Sequence, residues 1–83
     1  MMDKSEISKR VVKVVAQVLK VDPKDIRLES NFAFDLGADS MSSVALLAAF
    51  DEEFDIEMEE DKAREVQTVG EAVEFIAQYI PAS

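Results

Sequence analysis

Cysteine and histidine are both absent from this 83-residue chain. Without cysteine there is no disulfide framework and no thiolate metal site. Without histidine, the commonest general base and the commonest metal ligand are gone together. Long apolar runs are missing too. The longest, Val44 to Phe50, is seven residues, against the roughly 20 that a membrane-spanning helix needs, so no membrane insertion is expected. The amino end, Met1 to Glu6, turns polar at once and has no apolar signal-peptide core. A cytoplasmic location is the expectation.

What is present suits one small folded domain over residues 1–83. Hydrophobic residues make up 48% and charged residues 33% of the chain, too apolar for a disordered acidic tail. A core this small stabilises its fold only modestly, so the domain must be compact. It is expected to be a monomer. Charge is uneven. Residues 1–27 carry seven basic and four acidic side chains, whereas residues 28–83 carry two and fourteen; the balances of +3 and −12 make the net −9. Such a field repels nucleic acid and favours basic partner surfaces. For any single acidic residue, solvation of a helix face is the simpler role; the asymmetry is what points to partners.

Periodicity reads as helix throughout. Ile7, Val11, Val14, Val15 and Val18 form one stripe in a helix predicted over about Ser5–Lys20, which Asp22-Pro23 should stop. A long connection, Val21 to Ala38, has no sustained period but carries Ile26, Leu28, Phe32, Phe34 and Leu36, apolar side chains that should pack down over the helices. Gly37 sits at its end, where a tight turn would need glycine. A second helix should start at Asp39 or Ser40 with Asp39 as N-cap, and end near Phe54-Asp55. A short turn of helix fits Glu59 to Glu65. The last helix opens on a capping box, Thr68-Val69-Gly70-Glu71, and runs on through Ala72, Val73, Ile76 and Ile80 to Pro81. The fold class is therefore all-α: a small bundle of three main helices plus one short helix, with a long packed loop between helices 1 and 2.

Asp35-Leu36-Gly37-Ala38-Asp39-Ser40-Met41 is the most informative stretch. It leads from a loop through a glycine turn into a helix start, leaving Ser40 exposed on the first turn. Unpaired backbone N–H groups and the positive end of the helix dipole stabilise an anion there, so a phosphodiester on this hydroxyl would be well placed. Asp39 opposes it slightly by like charge, which screening or a divalent cation can relieve. A catalytic serine would need a neighbouring base. No histidine is available, and Lys24 and Lys62 stand in no recognised Ser-Lys spacing. Alone, a serine here is most simply part of a helix cap.

The wider pattern resembles the type II acyl carrier proteins of bacterial fatty acid and polyketide synthesis. The residues that carry the likeness are Asp35 to Met41, then Val44, Leu46 and Ala49 through Glu52-Glu53-Phe54-Asp55, with Ala63, Thr68-Val69, Ala72 and Ile76 beyond. The resemblance implies a carrier and not an enzyme, with no catalytic residue and no metal site. It implies that a phosphopantetheinyl transferase, with coenzyme A as donor, attaches 4'-phosphopantetheine to Ser40, flanked by Asp39 and Met41. The arm's thiol then holds the acyl group as a thioester, which suits a chain with no thiol of its own. The helix from Ser40 corresponds to a recognition helix that meets basic docking patches on acyl-loading, elongating and acyl-transferring enzymes. Asp35, Asp39, Met41, Val44, Asp51 and Glu52 are the candidate partner contacts; Asp35, Asp39, Asp51 and Glu52, with Glu53, keep the acidic character. Ser42 and Ala45 depart, standing where fatty acid synthesis members usually carry acids, which suggests a specialised carrier.

Leu47, Phe50, Phe54, Met58, Val66, Val69, Val73 and Ile76 are most simply core. By the resemblance they are also candidates for an acyl pocket. Three rivals stand beside this reading. A peptidyl or D-alanyl carrier would use the same serine, and an unmodified helical interaction module would not use it. A calcium sensor needs glycine and glutamate at the sixth and twelfth loop positions; from Asp35 the chain has Ser40 and Leu46, and from Asp51 it has Ile56 and Lys62. That third rival falls.

Overall fold

The computed structural model describes residues 3–80. Asp3 begins the first helix, α1 (Lys4–Leu19), its carboxylate accepting from the Glu6 N–H at 2.9 Å. This satisfies one of the donors every helix start leaves open. Ile7, Val11, Val14 and Val15 form the buried stripe, as their spacing predicts, with Val18 half-buried at its end. Asp22-Pro23 does not itself end the helix. Lys20 turns into the left-handed region (φ 57°, ψ 45°) and its N–H returns to the Ala16 carbonyl. Asp22-Pro23 instead opens a 3-10 turn, Pro23–Asp25, capped by the Asp22 carboxylate.

The remaining helices are α2 (Ser40–Phe54), α3 (Glu60–Ala63) and α4 (Val69–Ala77). Helix α2 ends on Asp55, also left-handed at φ 53°. Helix α4 begins with the predicted capping box: the Thr68 hydroxyl accepts from the Glu71 N–H, and the Glu71 carboxylate accepts from the Thr68 N–H. After Ala77 the chain tightens through i to i−3 bonds from Gln78 to Phe75 and Tyr79 to Ile76. Pro81, expected to end this helix, lies outside the described residues. Helices α2 and α4 both pack on α1, and Val11, Val15, Val69 and Ile76 are the most deeply enclosed side chains. The fold is thus the expected all-α bundle of three main helices and one short one.

The long loop is held chiefly by its backbone. Phe32 donates to Gln67, Val69 to Ser30 and Gly70 to Leu28, at 2.9, 3.0 and 2.7 Å. An isolated antiparallel bridge pairs Asn31 with Thr68. These bonds tie the loop to the start of α4, and a Cβ on Gly70 would meet the Leu28 oxygen at 3.1 Å. Ile26 is buried, and Phe32 and Leu36 pack against the core. Leu28 and Phe34 depart from expectation: they are 51% and 89% exposed. The backbone bonds hold the loop in place, so it does not need every apolar side chain facing in.

Candidate functional site

The turn before α2 is built by side chains folding onto their own backbone. The Asn31 amide oxygen accepts from the Ala33 and Phe34 N–H groups at 2.9 and 3.0 Å, and the Asp35 carboxylate accepts from the Asn31 N–H at 2.7 Å. Gly37 takes φ +75°, the left-handed geometry its position suggested. Ala38 then donates to the Phe32 carbonyl at 2.8 Å, which aims the chain into α2.

Asp39 is the N-cap, extended in backbone, and its carboxylate accepts from the Ser42 N–H at 2.8 Å. That bond, then one from the Ser42 hydroxyl, holds the carboxyl below its ordinary range. Ser42 therefore serves the cap. Ser40 is the first residue of α2 and is exposed.

Ser40 also stands on the rim of a half-open cleft of about 650 Å³ between α2, α3 and α4. Of the eight pocket candidates, Leu47, Phe50, Met58, Val66 and Ile76 line it. Phe54, Val69 and Val73 do not; they are buried elsewhere in the core. The sequence reading missed Ala63, Gln67, Ala72 and Phe75 as lining residues. Ala72, Phe75 and Ile76 share one face of α4 at helical spacing, a signal that was available. The mouth is polar and charged, with Asn31, Ser43, Gln67 and the Glu60–Arg64 ion pair (2.8 Å) around it. The floor is apolar. A helix start offering a free hydroxyl, beside a cleft with a greasy floor, suits a tethered arm with an apolar load.

The candidate partner residues separate into two groups. Met41 and Val44 are 83% and 59% exposed, and Ala45, Ala48 and Glu52 are exposed on the same side of α2. Asp35, Asp39 and Asp51 serve the fold as well: Asp51 accepts from the Met58 N–H at 3.2 Å, bracing the link to α3. Glu53 faces α1, within 3.2 Å of Lys13 and 3.7 Å of Arg10. Phe34, an 89% exposed ring, lines the cleft mouth with Ser40 and was not foreseen as part of the site.

Residues 9–76 match the family described as "Phosphopantetheine attachment site". The chain is 49% identical over 74 residues to the acyl carrier protein of Caulobacter vibrioides, covering 89% of this chain and 95% of that one. It is 46% identical over 78 residues to the acyl carrier protein of Phenylobacterium zucineum, covering 94% and 99%. The chain belongs to the acyl carrier protein family. It is accordingly a carrier and not an enzyme, and its prosthetic group is 4'-phosphopantetheine. None of the helices is long and apolar enough to cross a membrane, among the described residues.

Proposed function

We propose that Ser40 is the attachment point, and that residues 1–83 act as one monomeric, cytoplasmic carrier domain presenting acyl thioesters to enzymes of lipid or polyketide synthesis. The observation that carries this is the position of Ser40: exposed on the first turn of α2, at the edge of a cleft floored by Leu47, Phe50 and Ile76. Asp39 organises the helix start around the hydroxyl, and the open cleft beside it accepts the proximal part of an acyl chain. When attached, the prosthetic group supplies the thiol that the chain lacks. A phosphopantetheinyl transferase using coenzyme A would be the first partner, followed by loading, elongating and acyl-transferring enzymes. Intact mass after incubation with coenzyme A and a broad-specificity transferase tests the attachment. One phosphopantetheine per chain is expected for the wild type and none for Ser40→Ala. An unchanged wild-type mass sinks the reading.

A narrower version, that the carrier serves specialised partners, is favoured by one feature. Between Asp39 and Asp51 helix α2 has no acid, and its exposed side is Met41, Val44, Ala45 and Ala48. A surface of that kind joins partners through apolar contact more than through charge. Ser42→Asp with Ala45→Glu should raise turnover with a standard fatty acid synthase; no gain would refute the specialisation.

A further inference from the structure

Among the described residues four large apolar side chains are exposed, and three of them, Phe34, Met41 and Val44, gather about Ser40. Phe34 and Val44 line the same cleft as Ser40, and Met41 follows it in the chain. Apolar residues scattered singly over a surface mean little, whereas a cluster at one place marks a contact surface. Met41 and Val44 belong to α2. Phe34 stands on the loop before it and, at 89%, is the most exposed of the four.

The Phe34 ring is held out on a fixed turn. Its own N–H donates to the Asn31 amide oxygen at 3.0 Å, and the Ala33 N–H donates to the same oxygen at 2.9 Å. The Asp35 N–H returns to the Asn31 carbonyl at 2.9 Å. Three bonds from consecutive residues thus fix the backbone on both sides of the ring. The side chain keeps only two torsions, so it loses little freedom when a partner encloses it. It takes no place among the side chains packed on the core. A rigidly presented aromatic with no task in the fold has the form of an interface anchor.

The chemistry at Ser40 selects the partner. An enzyme that joins a phosphate to this hydroxyl must bring its own groups to bonding distance, and a protein-sized catalyst then covers the rim around it. An enzyme acting on the thiol of the arm works at the far end of a tether and is under no such constraint. The transferase is the partner that cannot avoid Phe34. Asp35 follows the ring in the chain and Asp39 precedes Ser40, and both are exposed. The surface that fits is therefore an apolar socket with basic side chains at its rim.

We propose that Phe34 is a specificity residue for attachment, the anchor that the phosphopantetheinyl transferase receives in such a socket. This rests on the reading of Ser40 as the attachment point. Phe34 touches neither the donor nor the reacting atoms, so it governs how tightly the apo chain is held and not the rate of the chemical step.

The test follows modification of the full apo chain by a broad-specificity transferase with coenzyme A, using intact mass for initial rates. Phe34→Ser should raise KM for the carrier about tenfold with kcat little changed, and Phe34→Leu should recover most of the loss. Docking is read apart from chemistry with unreactive chains. Ser40→Ala should inhibit modification of the wild type, and Ser40→Ala combined with Phe34→Ser should inhibit about tenfold more weakly. Equal KM values for Phe34→Ser and wild type, equal inhibition by the two unreactive chains, or a loss confined to kcat would each overturn the anchor. A wild type that gains no phosphopantetheine, or a Ser40→Ala chain that gains it, overturns the attachment reading itself and the anchor with it.

Discussion

The Gly70 N–H donates to the Leu28 carbonyl at 2.7 Å, and the open Cα of Gly70 is what lets the two backbones come so near. Gly→Ala inside a helix normally stabilises. Here the added methyl would sit 3.1 Å from that same oxygen, against backbone that is itself fixed by the bond. Gly70→Ala should therefore destabilise the fold, by about 1 kcal/mol, read as a lower midpoint in urea. A higher midpoint would mean that the loop yields easily.

The caps set the response to acid. Asp39 is held below its ordinary range by the Ser42 N–H, and Glu71 by the N–H groups of Gln67 and Thr68. A carboxyl lowered by folding contributes stability that is full above its unfolded pKa and lost as pH falls through the folded one. Thermal stability should thus fall as pH drops through and below the ordinary carboxylate range. Glu71→Gln should show a smaller fall over that window, and a parallel pair of pH profiles would count against the capping box.

Glu53 links two helices. Its carboxylate lies between Lys13 and Arg10 of α1, and the side chain is only 21% exposed. Glu53→Gln should cost about 0.5 to 1 kcal/mol at low salt, and the difference from wild type should shrink in high salt. Denaturation at two ionic strengths checks both halves.

Phe34 makes the opposite case. At 89% exposure it contributes little to the fold, so Phe34→Ser should leave stability within about 0.5 kcal/mol. If a transferase reaching Ser40 covers the ring, its loss removes at least ~1.5 kcal/mol of burial. The measured kcat/KM for modification should then fall on the order of tenfold. An unchanged value would clear Phe34 of any part in that encounter.

Helix bounds were legible where chemistry marks an end. Asp39 located the start of α2, and Thr68 with Glu71 located that of α4, because a cap is a local hydrogen bond written in residue types. The end of α1 fell where periodicity put it, but its cause was not legible: Lys20 adopts a left-handed conformation that its side chain does not advertise, ahead of Asp22-Pro23. Leu28 and Phe34 misled for a different reason. Hydrophobicity says that a side chain gains from burial, but the loop's course is fixed by backbone bonds between residues 28–32 and 67–70, which sequence does not display. The structural roles of the acids were not legible either: Asp35, Asp51 and Glu53 read as surface charge, and each also has a partner within the fold. The cleft was partly legible. Helical spacing brought Leu47, Phe50 and Ile76 to it but could not tell a wall of this void from a side chain buried elsewhere, as Phe54, Val69 and Val73 do not reach it.

Phe32 joins two ends of the molecule at one residue, accepting from Ala38 beside the serine turn and donating to Gln67 beside the root of α4. With Ser40 as the attachment point proposed above, the root of the tether is fixed through Phe32 to the start of α4, and loading should leave the backbone of that turn where it is.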